Sequence, residues 1–228
     1  MQFRRRFVLA AALALVSGCG GAPSVGGLLS VDQSDPRPVD VTALPAMRVT
    51  GWQVTVPETL TVSEANLIKP VADIVWRGDP FGDRHAQTRA IMEEAASRAA
   101  ARMRGNLPVT VLIELRRFHA LTQKTRYADV GEHEIVFALE IRNSDTGDIV
   151  VPRYTVDATF RAYTNYEALD AERRGITQKS RILEQVEQRL FQELTGAPPA
   201  NIDESPLVIG DETAVEGDQI LPLTRQRG

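Results

Sequence analysis

Alternation of residue type between positions 132 and 142 constrains the fold of this chain most. One parity holds Ile135, Phe137, Leu139 and Ile141, and the other holds the charged residues Glu132, Glu134, Glu140 and Arg142. Successive side chains of a β-strand point to opposite faces of its sheet. The pattern therefore predicts a strand in a sheet that has one apolar face and one solvated face.

Neighbouring segments extend this sheet. Residues 108–119 and 149–163 alternate in the same way, and shorter strands are predicted at 47–56 and 73–76. The connection at 143–148 is rich in Asn, Asp, Ser, Thr and Gly, a composition typical of a hairpin turn. The sequence thus predicts an antiparallel sheet of four to five strands.

Two helices are predicted to cover the apolar face. The first starts at Asp79-Pro80 or at Asp83 and runs to Arg104, and the second has apolar residues every four positions over 182–194 and ends at Gly196. Whether residues 166–174 form a further helical turn is left open by the pattern. The predicted fold class is α+β, an antiparallel sheet of four to five strands with two helices packed on one face.

The N-terminal residues resemble the signal of a bacterial lipoprotein. Arg4-Arg5-Arg6 precede an apolar run of about ten residues, and Val16-Ser17-Gly18-Cys19 follows it. The run is too short for a transmembrane helix, which needs roughly 20 residues. Cys19 is the only cysteine, so its lipidation would leave no thiol for a disulfide, a metal or catalysis. The alternative is an ordinary secretory signal followed by an accidental cysteine.

These patterns divide the chain into four parts. Residues 1–18 form the predicted signal peptide, 19–46 a flexible tether, 47–196 a single domain, and 197–228 a disordered or loosely docked tail. The tether is rich in Gly and Pro and has no apolar period, and the tail carries six acidic residues.

The net charge argues against a nucleic-acid partner. Removing the three signal arginines from 26 basic residues leaves 23 against 30 acidic residues, a net charge of about −7. Nucleic-acid affinity comes largely from neutralising phosphates with Lys and Arg. We therefore expect no nucleic-acid binding.

Two of the three histidines are candidates for a metal or catalytic site. By parity, His119 and His133 fall on the apolar face of neighbouring strands, where Asp129 or Glu132 would complete a metal site. The alternative is that both rings cap the apolar layer with their polar tips towards solvent. We expect this alternative, because two histidines without a patterned third ligand are weak evidence for a site.

A long loop at residues 120–131 is the predicted contact surface. It contains Lys124, Arg126 and Tyr127, and long loops carry function more often than cores do. The sequence has no glycine-rich phosphate loop, nucleophile elbow or paired-histidine zinc helix. We therefore expect no enzymatic activity and no cofactor.

Three stretches carry a resemblance to uncharacterised bacterial envelope lipoproteins. They are ELRRFH at 114–119, GEHEIVF at 131–137 and DTG at 145–147. In gross layout the chain is also similar to auxiliary lipoproteins of envelope transport systems. The resemblance covers about residues 47–196. It implies a domain that faces the periplasm, held through Cys19 in the outer membrane rather than the inner one.

The resemblance also implies a non-catalytic role. The first hypothesis is a module that binds an envelope protein or supports envelope assembly or transport. Two alternatives remain open: a small-ligand carrier with an apolar pocket between sheet and helices, and a metal-dependent hydrolase that uses His119 and His133. The distance between the two histidines and the presence of an enclosed pocket distinguish these alternatives.

Overall fold

A computed structural model describes residues 34–198, which form an α+β domain. In chain order its elements are β1 Met47–Thr55, β2 Ile74–Val75, α1 Arg84–Ala101, β3 Leu107–His119, α2 Gln123–Arg126, β4 Glu132–Asn143, β5 Ile149–Asp157, β6 Phe160–Arg161, α3 Asn165–Arg173 and α4 Gln178–Thr195. A single 3-10 turn, Val41–Ala43, precedes β1. The predicted signal with Cys19 and the tail from residue 199 onward lie outside the described residues.

The six strands form a mixed sheet, which corrects the predicted antiparallel sheet of four to five strands. Four strands lie in the order β1-β3-β4-β5, while β2 pairs with the end of β3 and β6 with the start of β4. The strands β3, β4 and β5 are antiparallel neighbours as predicted, but β1 and β2 run parallel to β3. The connection explains this difference, because a helix such as α1 between two strands returns the chain in the same direction.

The core lies between the apolar sheet face and the two long helices. The predicted apolar positions are buried on all three elements: Phe137, Leu139 and Ile141 of β4, Ile91, Ala95 and Ala99 of α1, and Ile182, Val186 and Leu190 of α4. The two predicted helices are thus confirmed, and the structure adds the shorter helices α2 and α3. No helix within residues 34–198 combines the length and the apolarity that a bilayer crossing requires.

A β-bulge in β3 changes which side chains face the core. Leu115 lies opposite Phe137, and Phe118 lies opposite Ile135, so this part of β3 is one residue longer than the facing part of β4. Arg116 is the extra residue and has no partner position on β4. Side chains beyond it therefore lie on the opposite face from the one that simple alternation predicts.

The last predicted strand, 149–163, is divided into β5 and β6. Asp157 Oδ1 accepts a hydrogen bond from Thr159 N at 2.8 Å, which turns the chain between the two strands. Phe160 of β6 then lies opposite His133 of β4. This turn brings an aromatic residue to the end of the sheet where β3 finishes and β4 begins.

Residues 34–46, which the sequence analysis assigned to the flexible tether, are packed on the domain. Asp35 N donates to Thr155 O at 3.0 Å, and Asp35 Oδ2 accepts from Thr155 N at 2.9 Å. The segment therefore runs beside β5 and pairs with its exposed edge. Val41 is buried in the core. Residues 34–46 of the predicted tether thus pack against the domain, and residues 19–33 lie outside the described residues.

Candidate ligand cleft

A cleft opens at the end of the sheet where β3 finishes and β4 begins. Its volume is about 150 Å³, and it is bordered by α2, α3, the first turn of α4 and the chain that follows β2 and β6. Its polar lining residues are Arg77, Thr122, Gln123, Arg126, His133, Tyr163, Glu172, Gln178 and Arg181. We call this space the polar cleft. Convergent polar groups in a concave site are the usual sign of ligand binding.

Arg181 places a buried positive charge at the wall of the polar cleft. Its Cζ lies 3.4 Å from the ring centroid of Tyr163 and 5.1 Å from that of Phe160. Its Nη1 donates a hydrogen bond to Arg161 O at 3.1 Å. The first turn of α4, which begins with a capping box at Thr177, carries Arg181 to this position. Stacking and burial together hold the guanidinium in one place.

His133 contributes an imidazole from the core face of β4. The residue is only 1% exposed, and its ring centroid lies 5.0 Å from that of Phe160. Burial, with a smaller contribution from the charge of Arg181, lowers the pKa of His133 to about 3, so the ring is neutral at physiological pH. Within residues 34–198, no group forms a hydrogen bond with its Nδ1. A buried polar atom in this condition is rare and costly.

Two further arginines line the polar cleft. Arg126, the last residue of α2, forms an ion pair with Glu172 of α3 at 2.5 Å. Arg77, which follows β2, donates from Nη1 to Glu64 O at 2.6 Å. Together with Arg181, the lining carries three guanidinium charges and one carboxylate. Arginines therefore outnumber carboxylates among the residues that line the polar cleft, although the whole chain has a net charge of −4.

The predicted contact loop, residues 120–131, contributes to this site but is largely ordered. Four of its residues form α2, and hydrogen bonds connect this helix to the segment 66–68. Arg126 lines the polar cleft, whereas Lys124 and Tyr127 lie outside the lining. The structure thus brings one of the three predicted contact residues into the site.

His119 lies on the other face of the sheet. Its register partner on β4 is Glu134, its Nε2 donates to Ala72 O at 2.5 Å, and its Nδ1 is 3.8 Å from Glu134 Oε2. The prediction that His119 and His133 share the apolar face is wrong, because the bulge in β3 reverses the parity before His119. The two rings therefore do not meet, and no group of three or more His, Cys, Asp or Glu side chains within 34–198 is arranged to hold a metal ion.

Glu134 forms the centre of a buried ion cluster on that outer face. It accepts a hydrogen bond from Lys69 Nζ at 2.5 Å and lies 2.7 Å from Arg117 Nε. Burial alone would raise the pKa of Glu134, but the bond from Lys69 and the charge of Arg117 lower it, so the carboxylate is ionised. The prediction of a solvated Glu134 is wrong, because the chain between β1 and β2 crosses this part of the face. The cluster fastens that crossing segment to the sheet.

Two other spaces fit a bound ligand less well. Between the sheet and the long helices, the space beside Trp52 and Leu190 is about 10 Å³, about the smallest volume that holds one water. It does not provide the apolar pocket that a carrier would need. A groove of about 490 Å³ lies at the opposite end, beside Val41 and Phe191, but it is more open and lined mainly by apolar side chains and backbone.

Sequence reasoning did not identify Arg77 or Arg181 as site residues. Arg77 follows a two-residue strand, and Arg181 precedes the apolar period of α4. Neither belongs to a sequence pattern that marks a binding residue. Only the packing of α4 beside β2 and β6 brings the two side chains to one cleft.

Comparisons with known proteins identify a family and partial structural likeness. A model described as "Family of unknown function (DUF6778)" matches residues 47–208. No curated protein matches the chain.

Three solved structures are similar to part of the chain. A candidate lipoprotein from Caulobacter crescentus is 17% identical with a TM-score of 0.26, covering 47% of this chain and 80% of that one. A DUF330 protein from Xanthomonas campestris is 13% identical with a TM-score of 0.35, covering 73% and 88%. The PelC dodecamer from Paraburkholderia phytofirmans is 8% identical with a TM-score of 0.25, covering 61% and 86%. Likeness at these scores assigns neither a site nor an activity.

Proposed function

This chain belongs to DUF6778, a family of unknown function, and on that premise we propose that it is a lipid-anchored, non-catalytic accessory protein of the bacterial envelope. The sequence Val16-Ser17-Gly18-Cys19 after an apolar run supports the anchor. Several acyl chains at about 0.8 kcal/mol per buried methylene would hold the protein stably in a membrane. The domain would face the periplasm, from the outer membrane rather than the inner one.

One observation supports the proposed role of the domain most directly: its exposed apolar side chains are concentrated at one end. Within residues 34–198, all large apolar residues that are exposed, except Trp52 and Ile149, lie at or near the end where β3 finishes and β4 begins. They are Val62, Leu67, Ile68, Val71, Phe81, Tyr127, Val130, Tyr166, Leu169 and Ile176. We call this surface the apolar end. Exposed apolar surface of this kind marks an interaction site.

The described chain starts on the same side of the molecule. Ser34 Oγ accepts a hydrogen bond from Asp157 N at 2.8 Å, at the last residue of β5, and the chain then runs along β5 towards Val41. Residues 20–33 separate Cys19 from Ser34. Whatever its conformation, a segment of this length spans at most roughly 50 Å. An anchor at Cys19 would therefore keep the apolar end close to the bilayer.

The partner that this surface fits best is the bilayer itself. Leu67, Ile68 and Val71 would enter the boundary of the acyl chains, and Tyr127 and Tyr166 have the amphipathic rings that suit the membrane interface. In this orientation the outer sheet face would remain accessible. We propose that an envelope protein binds there while the domain supports envelope assembly or transport.

The anchor is tested with Cys19→Ala. Acylation needs the thiol, so this variant should lose labelling by a fatty-acid analogue and should leave the detergent phase on phase partitioning. The wild-type protein, expressed in the same bacterial host, provides the control. Unchanged detergent partitioning of the variant would contradict the proposed lipid anchor at Cys19.

The orientation is tested with a fluorophore at the apolar end of the acylated protein. Because the chain has no second cysteine, Val71→Cys introduces the only free thiol, and Asp145→Cys does the same in the hairpin at the opposite end. In phosphatidylcholine vesicles with brominated acyl chains, the probe at 71 should be quenched and the probe at 145 should not. Equal quenching at both positions would contradict this orientation.

A further inference from the structure

The apolar groove at the end of the molecule opposite the polar cleft lies where the described chain leaves α4. We propose that residues 199–209 of the same chain occupy this groove, with Leu207, Val208 and Ile209 against its apolar lining. We call residues 199–209 the tail segment. The proposal concerns a surface that the proposed function does not use, and it does not depend on the lipid anchor.

The groove is large enough for several side chains. Its volume is about 490 Å³, within the range of roughly 300–1,000 Å³ that is typical of occupied pockets in proteins. The ends of α1 and α4 and the chain before β1 form its sides. Val41, Met103 and Leu194 are buried, whereas Leu44 and Phe191 are half-buried. These two side chains therefore present apolar surface that a further segment would cover.

The chain reaches the groove as it leaves α4. Gly196 ends the helix with a φ of 72°, and a Cβ atom at this position would lie only 2.4 Å from Thr42 Cγ2. Thr42, Val41 and Thr195 all line the groove. Ala197, the next residue, is half-buried. The tail segment, which starts two residues later, therefore begins at the rim of the groove.

The tail segment contains an apolar surface that suits such a groove. Leu207, Val208 and Ile209 are the only three consecutive large apolar residues in positions 199–228. The family model matches residues 47–208 and thus continues past the end of α4 at Thr195. The sequence pattern that defines the family therefore includes most of the tail segment.

The charges at the groove complement the acidic residues of the tail segment. Arg104 lines the groove, is exposed and meets no carboxylate within residues 34–198, while Arg102 is already paired with Glu187 at 3.2 Å. Asp203 and Glu204 precede the apolar run by a few positions. An exposed pair of Arg104 with either acid would orient the tail segment and add little affinity, so the apolar residues must provide most of the binding.

The covalent connection favours the tail segment over a separate partner. A short linker gives a segment of the same chain an effective concentration of the order of millimolar at its site. A partner protein or the tail of a second copy would have to bind more tightly to compete at ordinary protein concentrations. The tail segment is therefore the occupant that the groove would meet first.

Thiol crosslinking in the full-length protein tests the proposal. Cys19→Ala removes the only cysteine, so introduced thiols are the only ones whether or not Cys19 is lipidated. Ser205→Cys places one thiol in the tail segment, and Ala46→Cys places the other at an exposed residue of the groove. A short bismaleimide should join this pair within one chain, and mass spectrometry of the digested monomer identifies the link.

A second pair of thiols provides the matched control. Asp145→Cys replaces Ala46→Cys, at an exposed position of the hairpin between β4 and β5. The strand register places this hairpin at the same end of the sheet as Ala46. An undocked tail segment would react with both positions, whereas a docked one should react with Ala46→Cys at least roughly tenfold faster than with Asp145→Cys.

Two valines of the tail provide a second control. Val208→Asp places a charge in the run that would enter the groove, so it should lower the rate of the crosslink to Ala46→Cys to that of the Asp145→Cys pair. Val215→Asp makes the same change outside the tail segment and should leave the rate unchanged. Circular dichroism verifies that each variant folds.

Each outcome decides the proposal. Fast crosslinking within one chain that Val208→Asp abolishes and Val215→Asp preserves would support it. Crosslinked dimers would assign the groove to the tail of a second copy and overturn it. Equal rates at Ala46→Cys and Asp145→Cys, or equal effects of the two valine variants, would leave the groove to a separate partner and also overturn it. The test uses neither the anchor nor the membrane orientation, so its failure is distinguishable from failure of the proposed function.

Discussion

Tyr154 Oη donates a 2.6 Å hydrogen bond to Glu193 Oε2, which joins β5 to the last turn of α4. Arg37 Nη2 lies 2.9 Å from the same oxygen, and Arg189 Nε lies 3.1 Å from the other carboxylate oxygen. Burial raises the pKa of Tyr154, and the bond to Glu193 adds to this effect, so the phenol remains a donor. One buried carboxylate therefore connects the N-terminal segment, the edge strand and the closing helix.

We expect Glu193→Gln to lower the free energy of unfolding by about 2–3 kcal/mol, because two arginines lose their common partner in a buried site. Tyr154→Phe is the matched control. It removes one hydrogen bond and keeps the ring, so it should cost only about 1 kcal/mol. Urea unfolding measures both values, and equal losses would show that the ion pairs with Glu193 contribute little.

The N-terminal segment should stabilise the domain. A secreted chain that starts at Ser34 should have the same free energy of unfolding as the mature protein. For a chain that starts at Met47, the free energy of unfolding should be lower by at least about 2 kcal/mol. The reason is that the shorter chain lacks the buried Val41 and the pairing of Arg37 with Glu193. Limited proteolysis of the mature protein should accordingly stop near residue 34. Equal stability of the two truncated chains would assign residues 34–46 to the tether after all.

Acid should destabilise the protein through its buried histidine. The pKa of His133 is about 3 in the folded protein, against 6.5 for an unperturbed histidine. Between pH 3 and pH 6.5 the unfolded chain therefore binds more protons than the folded protein does. The free energy of unfolding should therefore fall as the pH drops from 6.5 towards 3. The pKa of His119 is also lowered, mainly by burial, and adds to the same trend.

The variant His133→Phe checks this origin of the pH dependence. It removes the titrating group and keeps a ring beside Phe160, so its free energy of unfolding should depend less steeply on pH. Denaturant unfolding at several pH values between 4 and 7 measures the two slopes. Identical slopes for the wild type and His133→Phe would assign the acid sensitivity to other groups.

The sequence predicted the elements of the fold where the signal is local. Alternation over 132–142 identified β4 and its buried residues, and four-residue apolar spacing identified α4 up to Gly196, whose φ of 72° ends the helix as the glycine suggested. The direction of β1 was missed, although the helix between β1 and β3 could have indicated a parallel pair. The bulge at Arg116 has no sequence signal, because it depends on how β4 pairs with β3.

The sequence by itself determined the long strands and the two long helices, most of the apolar residues that face the core, and where a lipid anchor is predicted. Those properties depend on residues a few positions apart, so periodicity and local composition record them. Only the tertiary structure decided that His119 and His133 lie on opposite faces, that Glu134 is covered, and that Arg77 and Arg181 meet at one cleft. These properties depend on register, crossover and packing between residues far apart in the chain, which no local pattern encodes.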